Sequence, residues 1–255
     1  VFKQWEAKFR AVVGAAGSDR RDVLLDIARF YFNVGTNNAA NSNSRVHAFE
    51  QSLAYFRRIQ AMQSEQTRPD DLRNIALPLK YLAGLTTIAP EKRRRYAEEA
   101  VAIDRERVKM EPSSSISRMD LAFSLGALGD QFAIAKNGEK AIVLYRESAA
   151  IRRDTASIDP NNSLALRSQF YPVLAWAYWA EKGESWTELQ AAIEAFDRAA
   201  RVAKPPATAD QSGQMSYYRG VLASARGDAS AACEHSRISD QQLPAKSPFR
   251  TGVAR

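Results

Sequence analysis

Three pentapeptides along the chain share one pattern at a near-constant spacing. Ala54-Tyr55-Phe56-Arg57-Arg58, Val101-Ala102-Ile103-Asp104-Arg105 and Ala149-Ala150-Ile151-Arg152-Arg153 start 47 and then 48 residues apart (101 − 54 and 149 − 101). A period of that length holds two helices and their turns, and so small a unit cannot bury its apolar face alone. The chain is therefore expected to stack such units, each covering its neighbour, as one continuous array.

The clearest copy spans residues 118–160. Its first helix carries Leu121, Leu125, Leu128 and Phe132, spaced i, i+4, i+7, i+11 on one face. Its second carries Ala141, Tyr145, Ala149 and Ile151 and closes at Asp159-Pro160, because proline cannot continue a helix. Between them lies Lys136-Asn137-Gly138-Glu139, in which Gly138 is expected to supply the positive φ that follows a helix end.

Leu128-Gly129, Phe132, Ala141, Tyr145 and Ala149 together resemble a tetratricopeptide repeat (TPR), whose small residues let the paired helices approach closely. A fourth copy has Leu174-Ala175, Tyr178, Ala192, Phe196 and Ala199, with an insertion around residues 183–186. An earlier first helix carries Leu24, Ile27, Ala28 and Tyr31, followed by an Asn/Ser-rich linker at 35–44. A shorter last pair is joined at Gly227-Asp228. The resemblance implies an all-α fold, a right-handed superhelix of antiparallel helix pairs forming a TPR-like α-solenoid. Its expected organisation is a leading helix in 1–20, about five pairs over 21–238 and a flexible tail at 239–255. Helices are expected near 2–13, 21–34, 45–64, 70–88, 91–110, 117–136, 139–158, 163–182, 187–203, 213–226 and 228–238.

The run Leu144-Tyr145-Arg146-Glu147-Ser148 through Ile151-Arg152-Arg153 to Asp159-Pro160-Asn161 is also similar to the C-terminal TPR region of bacterial membrane-anchored Ser/Thr protein kinases. That likeness implies a sensor or docking segment outside the cytoplasm, periplasmic if part of a receptor kinase; a free-standing array implies the cytoplasm. The chain opens on Val1, without an initiator methionine or a signal peptide, and reads as a fragment of a longer protein.

Lys and Arg number 36 against 29 Asp and Glu, for a net charge of +7. Such a balance suits nucleic acid, anionic lipid or an acidic partner. Here the opposite charges are interspersed, as on solvated helices. Arg57-Arg58 and Arg152-Arg153 fall late in second helices, where cations complement the helix dipole, and are expected on a solvated outer wall. Arg20-Arg21 form another cluster, and residues 92–95 open a helix with Glu98 and Glu99 one turn on, the spacing of intrahelical ion pairs. Nucleic-acid binding by these clusters is the alternative, disfavoured reading.

Catalytic constellations are missing from the sequence. Neither a phosphate-binding Gly-rich loop, a G-x-S-x-G elbow nor a kinase catalytic motif occurs. Cys233 alone cannot form an internal disulfide or a cysteine cluster. His47 and His235 lie in different repeats, and Cys233 and His235, two apart on a helix, face different directions. No catalytic residue, metal site or cofactor is expected. The longest uncharged apolar run, residues 168–180, is too short to span a bilayer.

In TPR arrays the first helices line an inner groove that takes the ligand. The resemblance places Arg29, Phe32, Asn33, Lys80, Asp130, Trp176 and Trp179 on that surface. Trp176 and Trp179, beside Tyr178, are expected to give an exposed apolar anchor. Arg29 and Lys80 suit an acidic side chain or a C-terminal carboxylate. The carboxylate clamp of chaperone-binding TPR domains is not expected, because Arg29 and Asn33 sit one turn late and Asp130 adds an acid. The function implied is a non-catalytic scaffold for a protein or peptide segment.

Overall fold

The structure, a computed structural model, describes residues 11, 20–37, 41–62 and 68–249. The helix expected at 2–13 falls outside the described residues apart from Ala11. Among the described residues the fold is all-α, with no strand. The helices are α1 (Arg21–Thr36), α2 (Ser42–Ala61), α3 (Pro69–Gly84), α4 (Pro90–Met110), α5 (Ser115–Ile134), α6 (Gly138–Ile158), α7 (Ser163–Arg167), α8 (Phe170–Lys182), α9 (Trp186–Val202), α10 (Ala209–Ala225) and α11 (Ala229–Gln242).

The chain divides into two compact units, Val1–Pro112 and Ser113–Arg255. In the first, α1 packs on α2, α2 on α3 and α3 on α4, around Leu24, Ile27, Tyr31, Phe49, Leu53, Ile75, Leu79 and Leu82. In the second, α6 packs on both α5 and α8, and α9 on both α8 and α10, while α11 closes on α10. Within each unit a second helix thus covers its own first helix and the next one, as α2 does for α1 and α3 and α6 for α5 and α8, the arrangement of an α-solenoid. Tyr145, Phe170, Trp176, Leu189, Phe196 and Tyr218 fill the core of this unit.

Local chemistry sets the ends of the helices. Asn41, Asn137, Asn162 and Asp228 each accept a hydrogen bond from a backbone N–H of the turn they open, and Thr208 with Gln211 forms a reciprocal cap. Three hairpin turns of the second unit share one geometry. Lys136, Glu184 and Gly227 have φ of 57°, 50° and 78°, and the residue after each donates back into the helix, as Asn137 N–H does to the Phe132 carbonyl at 2.9 Å.

Gly138 therefore does not supply the positive φ expected of it. It opens α6, and its missing side chain makes room for Trp179, whose Cε3 would lie 2.9 Å from a Cβ at that position. Gly129 serves the close helix approach that the repeat pattern requires, since a Cβ there would come within 2.8 Å of the Tyr145 ring.

Three further expectations are corrected. The helix expected over 163–182 is two helices, because Pro172 has no N–H to donate to Ser168 and its ring crowds that carbonyl. The tail is folded through Phe249: Leu243 is buried against Gly213, and the Phe249 ring meets Tyr217 and Tyr218 at 5.6 and 5.8 Å. The repeat register in the first unit shifts by one. Buried Leu53, Val101 and Ala149 are the equivalent residues, 48 apart (101 − 53 and 149 − 101), whereas Ala54 is exposed. Phe56, Asp104 and Arg152 consequently share one buried position.

Candidate functional site

The three like turns fix the register of the second unit. Lys136 and Glu184 are 48 apart and Glu184 and Gly227 are 43 apart (184 − 136 and 227 − 184), so Asp130 corresponds to Tyr178 and Phe123 to Tyr171. These residues share one face of α5 and α8. Phe123 and Tyr178 are exposed, Tyr171 is 51 % exposed, and the Asp130 carboxylate is half-buried among them.

Asp130 ties this face together. Its Oδ1 accepts the Tyr145 hydroxyl at 2.6 Å and the Tyr171 hydroxyl at 2.5 Å, linking α5, α6 and α8. Burial and the neighbouring Asp130 charge push the Tyr145 hydroxyl well above its usual range. Beneath Phe123 sits the Arg152 guanidinium, 4.4 Å from the ring centroid. Removal from water lowers Arg152 to about 10, against the opposing effect of Tyr171. Arg152 is 2 % exposed, so it does not belong to a solvated outer wall; its neighbour Arg153 is exposed and pairs with Asp154.

The expected groove residues separate. Arg29 and Asn33 are exposed on α1. Phe32 is half-buried, its ring 5.8 Å from Phe49 and 5.5 Å from Tyr81. Lys80 is not a free cation: its Nζ lies 2.8 Å from the buried Asp104 carboxylate, which also holds Arg107 at 2.9 Å. Trp176 is not an exposed anchor either. It is 5 % exposed in the core, and its indole N–H donates to Glu188 at 2.8 Å. Trp179 corresponds to buried Gln131, and with Ile142 and Val143 it lines a cleft of about 640 Å³ at the turn end of α5 and α6. Sequence reasoning missed Phe123 and Tyr171 as exposed, repeat-equivalent aromatic positions, although they lie at the array's own period (171 − 123 is 48).

The basic clusters meet carboxylates. Arg21 pairs with Asp71, Arg57 with Glu99 and Lys92 with Glu50, across helices of the first unit. Arg94 and Glu98 form the expected intrahelical pair, at 3.7 Å. His47 packs edge-on to Tyr31 at 6.4 Å. Among the described residues no group of three or more His, Cys, Asp or Glu is placed to hold a metal ion, and no helix is long and apolar enough to cross a membrane.

These features define an α-helical solenoid of paired helices with exposed aromatic side chains on one face of its second unit. No family model matches the chain, and no curated protein matches it. Among solved structures, a thermophilic TPR protein in Thermus thermophilus is similar, with 13% sequence identity and a TM-score of 0.38, over 88% of this chain and 95% of that one. Nothing in these comparisons supports the likeness to membrane-anchored Ser/Thr kinases.

Proposed function

We propose that the protein is a non-catalytic scaffold that binds a segment of another protein along the inner face of its second unit. Phe123, Tyr171 and Tyr178 supply the apolar anchorage, and Asp130 fixes the rings that surround it. The observation that carries this reading is the exposure of large aromatic side chains at repeat-equivalent positions, where the core does not need them. Arg29 and Asn33 on α1 offer polar contacts in the first unit, and Trp179 offers a further apolar wall. A regulatory or sensing role within a larger protein is the natural use of such a scaffold. Nucleic-acid binding is the weaker reading, because carboxylates at 50, 71, 98 and 99 lie among the cations at 21, 57, 92 and 94 and offset the positive field that a phosphate backbone needs.

The test is a peptide-display selection against the whole chain, followed by titration of the selected peptides into Tyr178→Ala and Phe123→Ala variants. Loss of one anchor ring should weaken binding by about tenfold or more while the helical circular dichroism is retained. Selected peptides that bind both variants as tightly as the parent would overturn the proposal.

A further inference from the structure

A second pocket in the same unit shares no residue with the inner face. It lies between α6 and α9 over α8, has a volume of about 230 Å³, and is floored by Val173 and the Trp176 ring. Ala149 and Ala195 keep the two walls back. Three arginines, Arg146, Arg153 and Arg198, ring it, and no acidic residue lines it.

Each arginine has a carboxylate neighbour outside the pocket: Glu188 at 2.6 Å from Arg146, Asp154 at 2.7 Å from Arg153, and Glu194 at 3.8 Å from Arg198. The three side chains are close to half-exposed. The Arg153–Asp154 and Arg198–Glu194 pairs are exposed on both sides and contribute little, so these two arginines can turn toward an anion, while Glu188 holds Arg146 at the rim. At the helix break beneath them, Gln169 also lines the pocket. It is 3 % exposed, and its amide nitrogen has no hydrogen-bond partner. A buried donor without a partner is costly, and a turn of the Gln169 amide toward the pocket would let a ligand acceptor satisfy it.

We infer that this pocket binds a small organic anion, a carboxylate or phosphate carried on a flat apolar body. The arginine fork matches such oxyanions. The apolar floor requires more than the anion, because a bare phosphate would leave Val173 and Trp176 uncovered. The size agrees: a cavity of about 150 Å³ takes a benzene ring, and the remaining space admits the acidic group.

The probes are phenyl phosphate and benzoate, titrated calorimetrically into the whole chain, with inorganic phosphate and benzyl alcohol as the two half-ligands. At least one of the two organic anions should bind with a Kd at or below about 1 mM, and each half-ligand should bind at least about tenfold more weakly. The double variant Arg153→Gln/Arg198→Gln, at two side chains about half-exposed, should lose at least about tenfold in affinity with its melting curve unchanged. Phe123→Ala should leave this binding intact, so its outcome is independent of peptide binding on the inner face. Silence from both organic anions at about 10 mM, equal affinity in the double variant, or inorganic phosphate binding as tightly as the organic anions would overturn the inference.

Discussion

Arg152 Nη1 donates to the Ser168 carbonyl at 3.0 Å, and that carbonyl is the one Pro172 cannot serve. A helix continuing through 163–182 would pair Ser168 C=O with the N–H of residue 172, which proline lacks. The guanidinium closes the gap from α6, while also bonding Ser148 Oγ at 3.2 Å and reaching the Ala122 carbonyl at 3.4 Å. One buried cation thus joins α5, α6 and the break between α7 and α8.

Arg152→Ala leaves the part-buried Ser168 carbonyl without this donor and removes the bonds to Ser148 and Ala122, and we expect a loss of about 2–3 kcal/mol in stability by urea denaturation. Pro172→Ala restores an N–H that can reach Ser168. In the Arg152→Ala background it should recover about 1 kcal/mol more than it does in the parent. A double-mutant cycle reads this directly, and zero coupling would mean that the two residues do not share the carbonyl.

Trp176→Ala should destabilise the second unit by about 3–5 kcal/mol, the range for truncating a core aromatic. The substitution also strips Glu188 Oε2 of the indole donor, leaving that carboxylate with Arg146. Tyr178→Ala, on the exposed side of the same helix, should cost under about 1 kcal/mol. Thermal denaturation of the two variants separates core from inner face. Equal losses would show that both rings are structural.

The two glycines that meet aromatic rings should respond differently to alanine. At Gly129 the obstacle is the Tyr145 ring, 2 % exposed and tethered to Asp130, so it cannot move aside. Gly129→Ala should cost about 1–3 kcal/mol through overpacking. At Gly138 the obstacle is the edge of the half-buried Trp179, which has an open cleft to move into. Gly138 is the first residue of α6, where alanine gains less than in a helix interior, so Gly138→Ala should be close to neutral, within about 0.5 kcal/mol. Chemical denaturation of both variants checks the order, with Trp179 fluorescence reporting the ring shift.

The period and the helix pairs were legible because each helix must bury one face, and that requirement repeats Leu, Ala and aromatic residues at helical spacing. Placement of the site was not, for a geometric reason. Successive residues turn about 100° round a helix, so Trp176 and Tyr178 lie on nearly opposite sides. Both faces of α8 are aromatic, and residue type cannot say which is core. Buried charge was illegible for another reason. Asp104, Arg107 and Arg152 occupy positions that Phe56 and Ile59 show to be apolar in an earlier repeat, and only their partners in space make this tolerable. The break at 168–169 was missed because residues 163–182 are rich in good helix formers, and Pro172 is tolerated in the first turn of α8, so it does not by itself mark where the helix before it ends.

The pH dependence of stability follows from the buried tyrosines. Tyr145 and Tyr218 are 2 % and 1 % exposed, and burial raises both hydroxyls above their ordinary value of 10.0. A group whose folded pKa is raised contributes stability that is fully present below its unfolded pKa and lost as pH climbs toward the folded value. Arg152 acts in the opposite sense, because its folded value of about 10 lies below 12.5, so the unfolded chain binds its proton more tightly between those limits. Two tyrosines outweigh one arginine. The melting temperature should therefore hold from about pH 7 to about pH 9 and fall above about pH 10. Tyr145→Phe should start lower by about 1 kcal/mol, from the lost bond to Asp130, yet decline less steeply in alkali. Melting curves across this range, with tyrosinate absorbance followed alongside, measure both effects. Ionisation of these two hydroxyls before unfolding would show that they are not sequestered as the fold places them.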